Sequence, residues 1–302
     1  MNPVKRLSPF KSACRWLSFH TSDFPTKLRW LHLVFRPEMR SADLYELPLL
    51  ATVRQAVQAA GNTEIGRQIL LFGLYEKPCA AAFHRLLGPG DVVLDIGANI
   101  GQYTLLAAEK VGAAGKVMAI EATPHIFERL RRHVEANGLD NVLLMPCAVG
   151  VEEGSIAMKV IADDNDGMHH VSLTPGEAGT TPVPLRRVDD LLTAALPGRA
   201  VDVVKIDVEG WEEAVFAGAE MLFRQNVPPT IFFESIEAHA VRFGFSAKRL
   251  GEQFTSHGYR LFSLHEASGR WQPVSEVGLE ETFYNSLAVH PRRPEHLRAI
   301  GQ

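Results

Sequence analysis

Residues 92–101, VVLDIGANIG, are an apolar run that passes directly into a turn with two glycines. An amphipathic stretch follows, so the pattern predicts a buried strand, a tight turn and a helix over 101–111. At the carboxyl edge of a parallel sheet such a turn binds nucleotide-like ligands, because the helix N-terminus offers free N–H groups. We interpret Gly97 and Gly101 as positions that let a ligand approach the backbone.

Three side chains indicate which nucleotide this turn would bind. Asn99 stands where a dinucleotide fingerprint has the glycine that makes room for a pyrophosphate. Asp95 would repel a pyrophosphate, but its carboxylate suits the ammonium and sulfonium charges of S-adenosylmethionine. Glu121, at the end of the next strand, can accept hydrogen bonds from both ribose hydroxyls, as it would in an NAD site. The combination favours S-adenosylmethionine over a nicotinamide cofactor.

Short apolar runs alternate with amphipathic stretches as far as residue 234, which predicts a parallel sheet with helices on both faces. The predicted strands are 92–96, 116–121, 142–146, 201–206, 229–234, 258–264 and 282–289, and the predicted helices are 101–111, 124–137, 211–222 and 246–256. We therefore expect an α/β fold with a doubly wound, mostly parallel, seven-stranded sheet.

Other parts of the chain depart from this alternation. Residues 41–87 carry apolar residues at helical spacing, which predicts an N-terminal helical extension. Residues 149–160 resemble a hairpin, and the polar stretch 163–181 is either a lid or a surface excursion. We divide the chain into a tail with helical extension over 1–72 and a catalytic domain over 73–302.

Composition excludes several classes of protein. With 302 residues, 46% of them hydrophobic, the chain can bury a large core. A net charge of -4 argues against a nucleic-acid partner. The three cysteines form no CxxC pair, and no apolar run is long enough to span a membrane, so we expect a cytoplasmic location.

Residues 1–40 are basic, with eight Lys or Arg against two acidic residues. Within them, residues 27–36 can form a short amphipathic helix that makes a weak contact with an anionic membrane surface or a protein. A loosely ordered tail, or a helix packed on the catalytic domain, explains the same pattern.

A second charged motif, KIDVEG, follows an apolar run at residues 205–210. Side chains alternate in an extended segment, so Lys205, Asp207 and Glu209 are expected on the same side. Asp207 is our first candidate for the base that accepts a hydroxyl proton, with Lys205 orienting it and Glu209 shaping the acceptor side. The alternative is structural, with Asp207 capping the helix near Trp211 and pairing with Lys205.

Two further residues are candidates for binding the acceptor. Glu234 ends the next predicted strand, and His239 follows shortly after it. Each has a structural alternative, as a strand-end carboxylate and as a histidine on a solvated helix face. Oxygen ligands at Asp207, Glu209 and Glu234 would suit magnesium, but nothing in the pattern requires a metal, and we predict none.

The chain resembles the FkbM family of methyltransferases. The resemblance rests on DIGANIGQYT at 95–104, GKV at 115–117, IEATP at 120–124, KIDVEG at 205–210 and G-x-Y-E at 73–76. Family members usually have Pro-Asn-Pro where this chain has ATP at 122–124, and Thr-Leu-Asp-Asp where it has RVDD at 187–190.

This resemblance implies a Rossmann-like class I methyltransferase fold, S-adenosylmethionine as cofactor, and a hydroxyl acceptor on a sugar, glycan or secondary metabolite. It also implies that Tyr103 contacts the methionine end of the cofactor and that Ala148 borders the adenine. Two alternatives stay open: a nucleotide-binding oxidoreductase of related fold, and a non-catalytic scaffold that binds the cofactor. Oligomeric state and the identity of the acceptor cannot be read from the sequence.

Overall fold

The computed structural model describes residues 45–48, 54–57, 65, 68–69, 74–161, 168–265, 270–274 and 283–302. The predicted basic segment 1–40, with its membrane or protein contact, lies outside these residues. Within the part of the chain that is described, no helix combines the length and apolar character needed to cross a membrane.

Strands and helices alternate through most of the described chain. In chain order, the strands are β1 (Tyr45–Pro48), β2 (Arg54–Val57), β3 (Val92–Ile96), β4 (Lys116–Ile120), β5 (Val142–Met145), β6 (Ala148–Val149), β7 (Gly154–Lys159), β8 (His170–Ser172), β9 (Thr180–Arg186), β10 (Val203–Ile206), β11 (Thr230–Ser235), β12 (Arg260–His265), β13 (Arg270–Pro273) and β14 (Phe283–Val289). The helices are α1 (Lys77–Leu86), α2 (Gln102–Val111), α3 (Pro124–Ala136), α4 (Val188–Ala195), α5 (Glu212–Ala217), α6 (Glu220–Arg224), α7 (Glu237–Ala240), α8 (Ala247–Ser256) and α9 (Pro294–Ala299), with a 3-10 turn at Val241–Phe243.

The main sheet has the order β13–β12–β14–β11–β10–β3–β4–β5. Strands β11, β10, β3, β4 and β5 are parallel, and β14 runs antiparallel between β11 and β12. The register places Lys205 on β10 beside Asp95 on β3, so the two sequence motifs end at the same edge of the sheet. The doubly wound, mostly parallel α/β fold is confirmed.

Two structural expectations need correction. The sheet has eight strands rather than seven, because β13 pairs with β12 at the outer edge. The N-terminal region predicted as helical contains β1 and β2, which pair antiparallel, and its helical pattern is confirmed at α1. Spacing alone cannot separate a helix from a strand over apolar runs this short.

A second sheet follows β5, in the order β6–β9–β7–β8. The predicted hairpin over 149–160 is therefore wrong in its pairing, since β6 and β7 both pair with β9. The polar stretch contributes β8, whose pairing with β7 orders residues that the sequence assigned to a lid or surface loop.

Apolar side chains cover both faces of the main sheet. Adjacent residues on β11 illustrate this, since Phe232 packs with Phe83 of α1 on one face and Phe233 packs with Phe254 of α8 on the other. Burial on two faces explains why the parallel strands have almost continuously apolar sequences.

Helix α8 offers a test of local stability. The Ser246 hydroxyl accepts a hydrogen bond from the Arg249 backbone N–H at 3.1 Å and so caps the helix. We expect Ser246→Ala to lower the free energy of unfolding by about 1 kcal/mol in urea titrations. Ser256→Ala, at the exposed end of the same helix, is the control, and it should cost less than about 0.5 kcal/mol. Equal losses in the two variants would contradict the capping role.

Candidate functional site

Two clefts meet at the carboxyl edge of the parallel strands. The first cleft, with about 580 Å³ of empty volume, is bordered by the ends of β3 and β4 and by residues of the second sheet. The second cleft has about 740 Å³. Gly97, Asn99, Asp207 and Glu209 line both, so the two clefts adjoin and the two sequence motifs form their junction.

Glu121 is fixed at the first cleft by the backbone around it. Its carboxylate accepts hydrogen bonds from the N–H groups of Asn99 at 2.9 Å and Thr123 at 2.7 Å. Burial raises the pKa of Glu121, and the two backbone donors oppose that rise. A carboxylate held in this way keeps spare acceptor positions for hydroxyl groups in the cleft.

The two glycines of the turn are required by packing inside the protein, and not only by the approach of a ligand. A Cβ on Gly97 would lie 1.9 Å from the carbonyl oxygen of Asp207, and one on Gly101 would lie 2.5 Å from Leu130. Both residues also have positive φ. The glycine turn is therefore packed directly against the charged motif.

The second cleft is acidic. Five carboxyl groups line it, from Glu76, Asp95, Asp207, Glu209 and Glu234, and Lys205 is the one Lys or Arg among the described lining residues. We call this cleft the acidic cleft. The Lys205 ammonium and the carboxyl groups near it stabilise one another. Because the carboxyl groups outnumber Lys205, the cleft favours a ligand that carries positive charge.

Lys205 and Asp207 are paired, as the structural alternative required. The Lys205 ammonium lies 3.4 Å from the Asp207 carboxylate and 5.1 Å from the centre of the Tyr103 ring. Burial by itself lowers the pKa of Lys205, but the carboxylates of Asp207 and Glu76 outweigh it and raise the pKa overall. Lys205 therefore remains a cation at the base of the cleft.

The alternative in which Asp207 caps α5 is not seen, because no side chain caps that helix, and Glu212 instead fixes the loop that precedes it. Its carboxylate accepts hydrogen bonds from the backbone N–H groups of Val208 and Gly210, both at 3.2 Å. The Asp207 side chain is about one-third exposed and lines both clefts. It is left available for a bound molecule.

Glu209 reaches the acidic cleft through a left-handed backbone, with φ of 57°. Its carboxylate lies 2.9 Å from His239 Nδ1. Burial raises the pKa of Glu209 and lowers that of His239. His239 contacts the site through Glu209 without lining either cleft.

Asp95 and Tyr103 lie at the inner end of the acidic cleft. Asp95 is buried and accepts a hydrogen bond from the Thr104 hydroxyl at 2.5 Å, and burial raises its pKa to about 6. The Tyr103 hydroxyl donates to Glu76 at 3.3 Å. Ala148 lines the first cleft, on the far side of the junction.

The structure thus gathers most of the predicted site residues around the two clefts. Those that line at least one cleft are Asp95, Gly97, Asn99, Tyr103, Glu121, Ala148, Lys205, Asp207, Glu209 and Glu234. Gly101 and His239 lie behind this lining. Their roles, like those of the others, stay predictions.

Sequence reasoning missed several lining residues. Tyr75 and Glu76 line the acidic cleft, while Trp211 lines the first cleft. The G-x-Y-E match at residues 73–76 was the available signal for the first two, although no role followed from it. Trp211 gave no signal, because its position depends on a hydrogen bond from its indole N–H to the Val149 carbonyl in the second sheet.

Strained backbone is concentrated at this site. Among the described residues, positive φ occurs at four non-glycine positions, Glu76, Asn99, Glu209 and Asn285. Three of them line the clefts, and Asn285 donates a hydrogen bond to Glu76 at 3.3 Å. Such conformations persist where the surrounding structure holds them, often at functional sites.

The domain model of FkbM methyltransferases matches residues 95–261, more than half of the chain and the part that contains both motifs. The chain belongs to this family. The FkbM resemblance inferred from the sequence is therefore confirmed.

Individual relatives of this FkbM family member are distant. Methyltransferase 1 of Beauveria bassiana is 26% identical over 145 residues, which cover 42% of this chain and 58% of that protein. Protein-L-isoaspartate O-methyltransferase 2 of Archaeoglobus fulgidus is 45% identical over 56 residues, or 18% of this chain and 26% of that protein. The match spans less than two thirds of either relative.

A solved structure of an O-methyltransferase is also similar. TomG of Streptomyces achromogenes, in complex with S-adenosylmethionine, has a TM-score of 0.40 and 14% identity, with coverage of 70% of this chain and 77% of that chain.

A resident metal stays a matter of prediction for this FkbM family member. Within the described ranges, no group of three or more His, Cys, Asp or Glu side chains is arranged to hold a metal ion.

The acidic cleft should make stability depend on pH. Burial and the charge of Asp207 raise the pKa of Glu234 above its ordinary value of 4.5. A raised folded-state pKa contributes stability that is present below the unfolded pKa and is lost as pH rises through the folded value. We therefore expect Glu234→Gln, which cannot ionise, to gain stability over the unchanged protein as pH rises from about 4.5 to about 8, and the gain to level off above that pH.

Urea titrations of both proteins across the pH range measure this difference. Glu220→Gln makes the same substitution at an exposed position on α6, away from the cleft, and is the control. A constant difference for Glu234→Gln would contradict the predicted titration.

Proposed function

We propose that this chain transfers the methyl group of S-adenosylmethionine to a hydroxyl group on a sugar, a glycan or a secondary metabolite. One observation carries the proposal: a cleft with a fixed carboxylate suited to a ribose opens, at Asp207, into an acidic cleft. The nucleoside of the cofactor would occupy the first cleft, and its charged end would enter the second. Membership of the FkbM methyltransferase family supports the same reaction.

The residues present fit this cofactor. The two backbone hydrogen bonds to Glu121 orient it for the ribose hydroxyls. Apolar side chains of Ile96, Ile120 and Val149, beside Ala148, offer a surface for adenine. The carboxylates of the acidic cleft would compensate the sulfonium charge. S-adenosylmethionine supplies a methyl group made electrophilic by that sulfonium.

The acidic cleft has a separate task, which is to bind the acceptor hydroxyl and receive its proton. Asp207 lies at the junction of the clefts and is the base in this proposal. Lys205 orients the Asp207 carboxylate through their ion pair. Glu209 and Glu234 hold the acceptor by accepting hydrogen bonds from its other hydroxyls, and His239 holds Glu209 in place.

The carboxyl groups of the acidic cleft also limit which acceptors can bind. A phosphate group would enter a cleft where carboxyl groups outnumber Lys205 five to one, so a phosphorylated acceptor is disfavoured. This supports an uncharged, hydroxyl-rich acceptor and argues against nucleic acid as a partner.

Two measurements test the proposal. Calorimetric titration should detect binding of S-adenosylhomocysteine to the folded protein, and absence of binding would reject the assignment. A mass-spectrometric screen of hydroxylated sugars and metabolites with labelled S-adenosylmethionine should then find an acceptor that gains one methyl group. Binding without transfer to any acceptor would favour the non-catalytic scaffold.

A further inference from the structure

Glu76 lies outside the stretch matched to the family, yet it lines the acidic cleft. It precedes α1 and has φ of 47°, a left-handed conformation that a glutamate rarely adopts. The preceding residue, Tyr75, is tied to α2 by two hydrogen bonds with the Gln102 side chain, at 2.7 Å and 2.9 Å. The Tyr75–Glu76 segment is therefore held against the N-terminal end of α2.

The Glu76 carboxylate is oriented from two sides. The Tyr103 hydroxyl donates to one oxygen and the Asn285 amide donates to the other, each at 3.3 Å. A carboxylate has about four acceptor positions, so two such donors leave capacity for a further donor in the cleft. Because Tyr103 is on α2 and Asn285 is on β14, separate parts of the fold place this one carboxylate.

No cation of the cleft is paired with Glu76 among the described residues. The ammonium of Lys205 makes its hydrogen bond with Asp207, at 3.4 Å. Both donors to Glu76 are uncharged side chains. Lys205 acts on Glu76 through charge but makes no hydrogen bond with it, so a cationic ligand would add the direct charged partner that this partly buried carboxylate lacks.

The position of Glu76 indicates which cationic group it would bind. The acidic cleft adjoins the first cleft at Gly97 and Asn99, so a nucleoside in the first cleft would extend its remaining atoms past that junction. We propose that Glu76 binds the α-ammonium group at the methionyl end of S-adenosylmethionine. This inference rests on the proposed function and adds a positioning residue from outside the matched domain.

The proposal predicts a pattern across three ligands. S-adenosylmethionine and S-adenosylhomocysteine both carry the α-ammonium group, whereas methylthioadenosine has the same nucleoside and a thioether but no ammonium. We expect Glu76→Gln to weaken binding of the first two about tenfold, as expected for loss of one charge-assisted hydrogen bond. Binding of methylthioadenosine should change less than about twofold.

Calorimetric titration of the full chain with each ligand measures these affinities. Glu220→Gln is the matched control, because it makes the same substitution at an exposed position on α6. A structural role for Glu76 would weaken all three ligands equally, and that result would overturn the proposal. Unchanged affinity for all three would overturn it too.

The result also separates this inference from the proposed function. If the unchanged protein binds none of the three nucleosides, the proposed function fails together with this inference. If it binds them and Glu76→Gln gives no difference between the ammonium-bearing ligands and methylthioadenosine, only the role of Glu76 fails.

Discussion

Asp207→Asn is expected to slow methyl transfer by a factor of about a hundred to ten thousand, the usual contribution of a general base. Asn has nearly the shape of Asp but cannot take the acceptor proton. The substitution also leaves Lys205 without its partner at 3.4 Å. Turnover with labelled S-adenosylmethionine and the acceptor found by the screen measures the effect.

Binding measurements show whether the loss lies in the chemical step. Affinity for S-adenosylhomocysteine should stay within about threefold, so that the rate falls while the nucleoside still binds. Asp190→Asn, at an exposed carboxylate on α4, is the control and should leave turnover unchanged. An Asn variant that turns over at the normal rate would exclude Asp207 as the base.

Gly97→Ala should disrupt both the fold at the junction and the site. The new Cβ would lie 1.9 Å from the Asp207 carbonyl oxygen, and φ at this position is 75°. Since the neighbouring atom is backbone, β3 and β10 would have to separate at their carboxyl ends. We expect a loss of about 4 kcal/mol or more in the free energy of unfolding, together with loss of S-adenosylhomocysteine binding.

Gly138→Ala separates the two causes of this effect. Gly138 also has positive φ, at 62°, but a Cβ there would meet nothing within 4 Å. It should therefore cost only the backbone strain, about 1 kcal/mol. Urea titration of both variants gives the comparison, and similar losses would show that the contact between Gly97 and Asp207 matters little.

The sequence predicts the main sheet well because its strands are buried on both faces. The predicted strands 92–96 and 282–289 agree with β3 and β14 to within one residue. Continuous apolar runs bounded by glycine or polar residues are a strong local signal. The edge strand β13, which has three exposed residues of four, lacks that signal.

The site residues also divide into those with a local sequence signal and those without one. Lys205, Asp207 and Glu121 stand out because charged residues at the ends of apolar strands are unusual. The pairing of Glu76 with Asn285 joins residues 209 positions apart, and no local pattern contains such a contact. The second sheet was missed for a similar reason, since β6 pairs with β9 rather than with its neighbour in sequence.

Because β14 lies inside the main sheet, between β11 and β12, it limits how far the chain can be truncated. A fragment cut back to residues 95–261 would remove a strand from between β11 and β12, and both would be left with unpaired backbone groups. Such a fragment would also lose Glu76 and Asn285 at once. Trimmed versions for crystallisation or spectroscopy should therefore keep residues 74–289 at least, even though the recognisable motifs end far earlier.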